Sequence, residues 1–115
     1  ELPVPDIAPD EVLVQVQVVG LCQSDIKKIR YPLYEPPRIF GHETAGVIAA
    51  VGDRVTDWQV GQRVVVMHHI PCMRCRYCLN DNFSMCDVYK NISTTAGFVP
   101  SGGGFAEYVR VPGHI

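Results

Sequence analysis

The chain has 115 residues, of which 47% are hydrophobic and 19% charged, and its 10 basic and 12 acidic side chains leave a formal net charge of −2. That balance describes a globular domain with a core of its own, and gives no electrostatic basis for a nucleic-acid partner or a polybasic membrane anchor. No apolar run approaches the ~20 residues of a membrane helix and no secretory signal is visible, so a cytoplasmic protein without a membrane partner is expected.

In chain order, Glu11 to Val19 alternates, with Val12, Val14, Val16 and Val18 on one side, and reads as a half-buried strand ended by Gly20. Ser24 or Asp25 is predicted to cap a short helix through IKKIR, which Pro32 limits. Tyr31 to Pro37 carries three prolines and is a loop. Thr44 to Val51 is small and apolar, as a buried strand would be. Gly52-Asp53 and Gly61 mark a turn and return, and Arg63 to Met67 is a further strand. After a cysteine-rich loop and a flexible Ser101-to-Gly104 linker comes a last strand, Phe105 to Val111. Its Phe105, Glu107, Val109 and Val111 share one face. Trp58 and the tyrosines are expected to fill the core or a pocket rim. Short strands, many turns and little helix predict a mainly β domain, a barrel or sandwich. The first residues, ELPVPDIAPDEV, lack a starting Met, and VRVPGHI stops straight after a strand, so both ends read as cut from a longer chain.

Four of the five cysteines form Cys72-x2-Cys75-x2-Cys78-x7-Cys86. Four thiolates this close can surround one tetrahedral ion, and zinc is the usual occupant of an all-sulfur site. The loop around them, PCMRCRYCLNDNFSMC, has no apolar period, so a metal would supply the free energy that holds its shape. Disulfides between cysteines three apart are strained, and nothing else argues for an oxidising compartment.

The fifth cysteine, Cys22, lies in GLCQSD, and Gly41-His42-Glu43 follows in GHETAGVIAAVG. Thiolate, imidazole and carboxylate suit zinc with a fourth position left open. A lone cysteine is more often a small buried hydrophobe and a lone histidine a satisfied one, so spacing alone leaves this set undecided. Ser24 and Asp25 have the equally plain reading of helix caps. Adjacent side chains on a strand point to opposite faces, so His68 and His69 read as structural or surface residues, with at most one able to join a site.

GLCQSD, GHETAGVIAAVG, the four-cysteine lobe and GGGFAEYVRVP, in that order, resemble the zinc-dependent medium-chain alcohol and polyol dehydrogenases, and in particular their sorbitol- and threonine-dehydrogenase-like members. The resemblance spans nearly the whole chain. It implies one domain over residues 1–115, a GroES-like distorted β-barrel with short helices and a zinc-bound cysteine lobe. It implies a catalytic zinc on Cys22 and His42, and a structural zinc on Cys72, Cys75, Cys78 and Cys86. Glu43 would be a further ligand to the first zinc as in the sorbitol- and threonine-dehydrogenase-like members, or stand behind the ligands or exchange in and out as in others. An alcohol or polyol would lose its proton on the first zinc and its hydride to NAD or NADP. Ser24 would accept the hydrogen bond of the alcohol, and Asp25 would orient His42. Tyr34 and Phe40 are candidates for the cleft wall.

Two positions depart from the family. Lys27 stands where many members have a histidine that finishes the proton relay. Gln23 stands where some carry a basic residue beside the cofactor pyrophosphate, which weakens that contact. No G-x-G-x-x-G unit occurs, since Gly102-Gly103-Gly104 precedes a strand, and the family's remaining ligand or pocket carboxylate is also absent. The chain is therefore expected to be the metal-bearing domain of a homodimeric or homotetrameric dehydrogenase, inactive alone, with the lobe zinc kept and the catalytic zinc weakened. The alternative is a non-catalytic, zinc-stabilised binding module. A zinc-free enone or quinone reductase fits poorly, because those relatives lack both donor sets.

Overall fold

Alternating valines make the longest strand. In the computed structural model, which describes residues 2–31, 38–88 and 103–114, β1 runs over Glu11–Gly20. It is followed by α1 (Gln23–Arg30), β2 (Glu43–Val51), β3 (Arg63–Val66) and β4 (Tyr108–Pro112). Single-turn 3-10 helices at Cys78–Asn80 and Phe83–Met85 lie between β3 and β4. The loop at 32–37, with Tyr34, and linker residues 101–102 lie outside the described residues. None of the described helices is long and apolar enough to cross a membrane.

The strands form one antiparallel sheet in the order β3-β2-β1-β4. Among the described residues this sheet is open rather than closed into the expected barrel. β3 pairs only with β2 and β4 only with β1, so each leaves one edge without a ladder. The core lies on one face, where Val12, Val14, Val109 and Val111 are buried and Trp58, Val64 and Val66 pack against them. Each fully buried valine contributes about 1.5–3 kcal/mol. The Trp58 indole N–H donates to the Gly113 carbonyl at 2.8 Å, which fastens the 52–62 turn to the end of β4.

Three local readings change. Val18 is 62% exposed rather than inward-facing. The β1–β2 register shifts between Val16 and Val18, so one extra residue turns the rest of β1 over. The helix cap is Cys22 rather than Ser24 or Asp25. Asp25 sits in the first turn and its carboxylate accepts the Cys22 N–H at 3.3 Å, the reciprocal arm of a capping box. Finally, β4 begins at Tyr108, not Phe105. The Phe105 N–H donates to the Phe40 carbonyl at 2.9 Å instead, drawing that residue off the sheet and leaving it exposed.

Candidate metal centres

One end of the sheet gathers the termini of three strands. Gly20, the last residue of β1, pairs with Glu43, the first of β2. Cys22 follows two residues later as the helix cap, and His42 immediately precedes β2. The Cys22 thiol, a His42 nitrogen and a Glu43 carboxylate oxygen come within 4.8 Å of one another.

Gly20 makes this approach fit. A Cβ there would collide with the Glu43 carboxylate oxygen and lie 3.1 Å from the Glu43 Cβ. The sequence marks Gly20 only as a strand end; its role as a cradle depends on a partner 23 positions away in the ladder. Gly20→Ala is expected to turn the Glu43 carboxylate out of the donor set and weaken metal binding there by about 10- to 100-fold. Cobalt titration would measure this, with the four-cysteine site as the unchanged internal control.

Asp25 ties the pieces together. It is fully buried at 0% exposure. One carboxylate oxygen accepts the Cys22 N–H at 3.3 Å. The other accepts the Gly41 N–H at 3.4 Å and lies 3.3 Å from His42 Nδ1. Nδ1 is buried and has no aligned hydrogen bond, although the carboxylate is within ion-pair distance. That contact leaves Nε2 on the opposite side of the ring, 3.4 Å from the Ser24 hydroxyl oxygen. An imidazole braced at one nitrogen by a carboxylate, with the other met only by a displaceable hydroxyl, is a form that can bind metal. With one sulfur, one nitrogen and one oxygen donor, the residues fit zinc with an open position.

The second centre is the lobe. Sulfurs of Cys72, Cys75, Cys78 and Cys86 lie within 4.8 Å of one another, and none is in a disulfide. Backbone N–H groups of Cys72 and Val88 donate to the Cys86 sulfur at 3.3 and 3.4 Å. Met73 and Asp81 both take φ of 57°, a left-handed backbone that non-glycine residues adopt only when their surroundings hold it. Burial, then contact with the Cys75 and Cys86 sulfurs, pushes the Cys78 thiol up to about 12. Cys75 moves the other way, chiefly because the Cys78 backbone N–H favours its thiolate. Leu79 is 72% exposed and Met73 and Met85 are also exposed, so the lobe has little apolar core. Its tie to the sheet includes the His114 ring, whose Nε2 is 3.1 Å from the Pro71 carbonyl oxygen. Four converging sulfurs with little apolar core around them fit a structural zinc.

The remaining sequence candidates are dispersed. Gln23 and Lys27 are exposed on α1, and Phe40 is half-buried. His68 and His69 do not obey strand alternation, because β3 ends at Val66. Their ring centroids are 4.1 Å apart, and His68 lies 5.4 Å from His42. Burial, then the neighbouring His69 and His42, lowers the pKa of His68.

The family model described as the alcohol dehydrogenase GroES-like domain matches residues 8–115. The chain belongs to that family. This GroES-like domain is 40% identical over 115 residues to sorbitol dehydrogenase of Bacillus subtilis, covering 96% of this chain and 31% of the relative. It is 34% identical over 114 residues to L-threonine 3-dehydrogenase of Caldanaerobacter subterraneus, covering 95% and 31%. Among solved structures it resembles a cobalt- and zinc-bound thermostable alcohol dehydrogenase from Pyrobaculum aerophilum. The TM-score is 0.78 at 34% identity, covering 95% of this chain and 33% of the other. The domain thus spans about a third of the length of these relatives.

Proposed function

We propose that this GroES-like domain is the metal-bearing catalytic part of a zinc-dependent oxidoreductase that transfers hydride from a secondary alcohol or polyol to NAD or NADP. The reading rests above all on the Cys22, His42 and Glu43 donors, gathered within 4.8 Å at the strand junction and separate from the lobe. The dinucleotide would bind a part of the protein outside these residues, as the length of the relatives allows. Five free thiols suit a reducing, cytoplasmic setting.

Cys22, His42 and Glu43 would hold zinc, whose contribution there is Lewis acidity toward an alcohol oxygen. Asp25 fixes the ring of His42 by standing at Nδ1, so that Nε2 faces the open side. The Ser24 hydroxyl, 3.4 Å from Nε2, borders that side. With two lone pairs and one proton, it can accept the hydrogen bond of the substrate hydroxyl and pass a proton outward. Lys27, exposed on the same helix, lies toward solvent, and Gln23 at the helix start is the candidate neighbour of the cofactor. Cys72, Cys75, Cys78 and Cys86 take no part in the reaction.

The full-length protein is expected to carry one zinc at each of the two donor groups and to form reduced nicotinamide when given a secondary alcohol. Metal analysis and nicotinamide absorbance measure the two. Zinc at the lobe alone, with no alcohol oxidised, would leave the non-catalytic binding module as the better description.

A further inference from the structure

We propose that His68 is a specificity-determining residue. Its imidazole hydrogen-bonds a second substrate hydroxyl, on the carbon next to the one being oxidised. This deepens the dehydrogenase reading above and rests on it.

The placement follows from strand register. Thr44 pairs with Val66 in the β2–β3 ladder. That pair ends the ladder; His42 and His68 each lie two residues beyond it, outside the strands, and their rings are 5.4 Å apart at 58°. Both line one small cleft, with Gly41, Thr44 and Met67. His68 is therefore carried to the metal-binding end of the sheet by the same pairing that sets β2.

His68 is nevertheless outside the donor set. The mutually close atoms belong to Cys22, His42 and Glu43, and His68 contributes none. One ring away from a ligand, it can meet what the ligands hold. His69 packs against it with centroids 4.1 Å apart, which restricts the ring before any substrate arrives. The charged and titratable groups around it are His69, His42, Glu43 and Lys28, so this side of the mouth is polar. An imidazole keeps at least one N–H donor in either protonation state. A hydroxyl reaching that donor at ~2.8 Å gains a bond, whereas the methylene of a simple alcohol gains none.

The test compares butane-2,3-diol with butan-2-ol on the zinc-loaded, full-length protein. His68→Ala is expected to lower kcat/KM for the diol about tenfold, the scale of one hydrogen bond, and to leave butan-2-ol unchanged. His68→Gln, which restores a donor, should recover part of the loss. Equal losses on both alcohols would overturn the proposal, since the ring would then be supporting His42; no loss on either would overturn it as well. A second readout is independent of hydride transfer. In the cobalt-substituted protein, the visible spectrum should respond to the diol at about tenfold lower concentration in wild type than in His68→Ala, and equal responses would sink the idea. If wild type oxidises neither alcohol with NAD or NADP, the dehydrogenase reading fails, while the cobalt titration still reports on His68.

Discussion

Replacing Cys22 with serine in the full-length protein is expected to abolish metal binding at the strand junction, leave the lobe metal in place, and remove most of the alcohol oxidation. Serine is close to cysteine in size, but its hydroxyl stays protonated at neutral pH and is a poor ligand for a borderline-soft ion. Zinc as a Lewis acid is worth several kcal/mol of transition-state stabilisation. At about 1.36 kcal/mol per decade, the loss in kcat/KM should reach about 10³-fold or more. The fold offers an unusual control. Cys22 is the N-cap of α1, a position where serine is among the best residues. The variant should therefore melt no earlier than wild type stripped of the junction metal, and show unchanged helix content. Metal analysis that still finds both ions would remove Cys22 from the site. A variant that melts well below wild type stripped of that metal would make the role structural instead.

The period-two pattern of β1, the small apolar run of β2 and the valines of β3 could be read directly, because strand alternation is local. The spacing of Cys72, Cys75, Cys78 and Cys86 was equally legible, since one loop contains all four sulfurs. What escaped was set by pairing between distant segments. The pattern through Gln15, Val16, Gln17 and Val18 carries no mark of the register shift, which is defined against Gly46 and Ala45 on β2. Closure of the sheet depends on which edges meet, and periodicity says nothing about that. His68 came beside His42 because the β2–β3 ladder ends at Thr44–Val66, just short of both rings. Cysteine is an uncommon cap, so the start of α1 was legible only in the Asp25 that reaches back to it. The same Asp25 stands beside His42 Nδ1, so the residue that completes the capping box is also the one that braces the imidazole.

Stability of the metal-bound lobe should fall as the pH is lowered. In the metal-free lobe the Cys78 thiol is raised from 9.0 to about 12. A raised pKa means the folded lobe favours the neutral thiol. That contribution is complete below the unfolded value near 9.0 and disappears as pH rises toward about 12. Taken alone, Cys78 makes alkali unfavourable to the metal-free lobe, whereas Cys75, whose thiol is lowered, pulls the other way. The metal-bound lobe responds to acid, because thiolate ligands must shed protons for zinc to bind. Each proton displaced costs about tenfold in affinity for every unit by which pH falls. Acid should thus release the ion and open the lobe. With so little apolar core around Leu79 and Met85, chelation or Cys78→Ser should abolish amide hydrogen-exchange protection across residues 72–88. Structural zinc is worth about 10–16 kcal/mol in isolated zinc fingers, far more than such a loop could otherwise supply. Protection of β1 and β2 should persist, since their ladder and valine core do not involve the lobe. Exchange measured with and without chelator would show the loss at the lobe directly, and exchange of the metal-bound lobe would show protection falling as the pH is lowered. If the lobe stays protected in chelator at neutral pH, its own packing holds it, and the four sulfurs are not what keeps the loop folded.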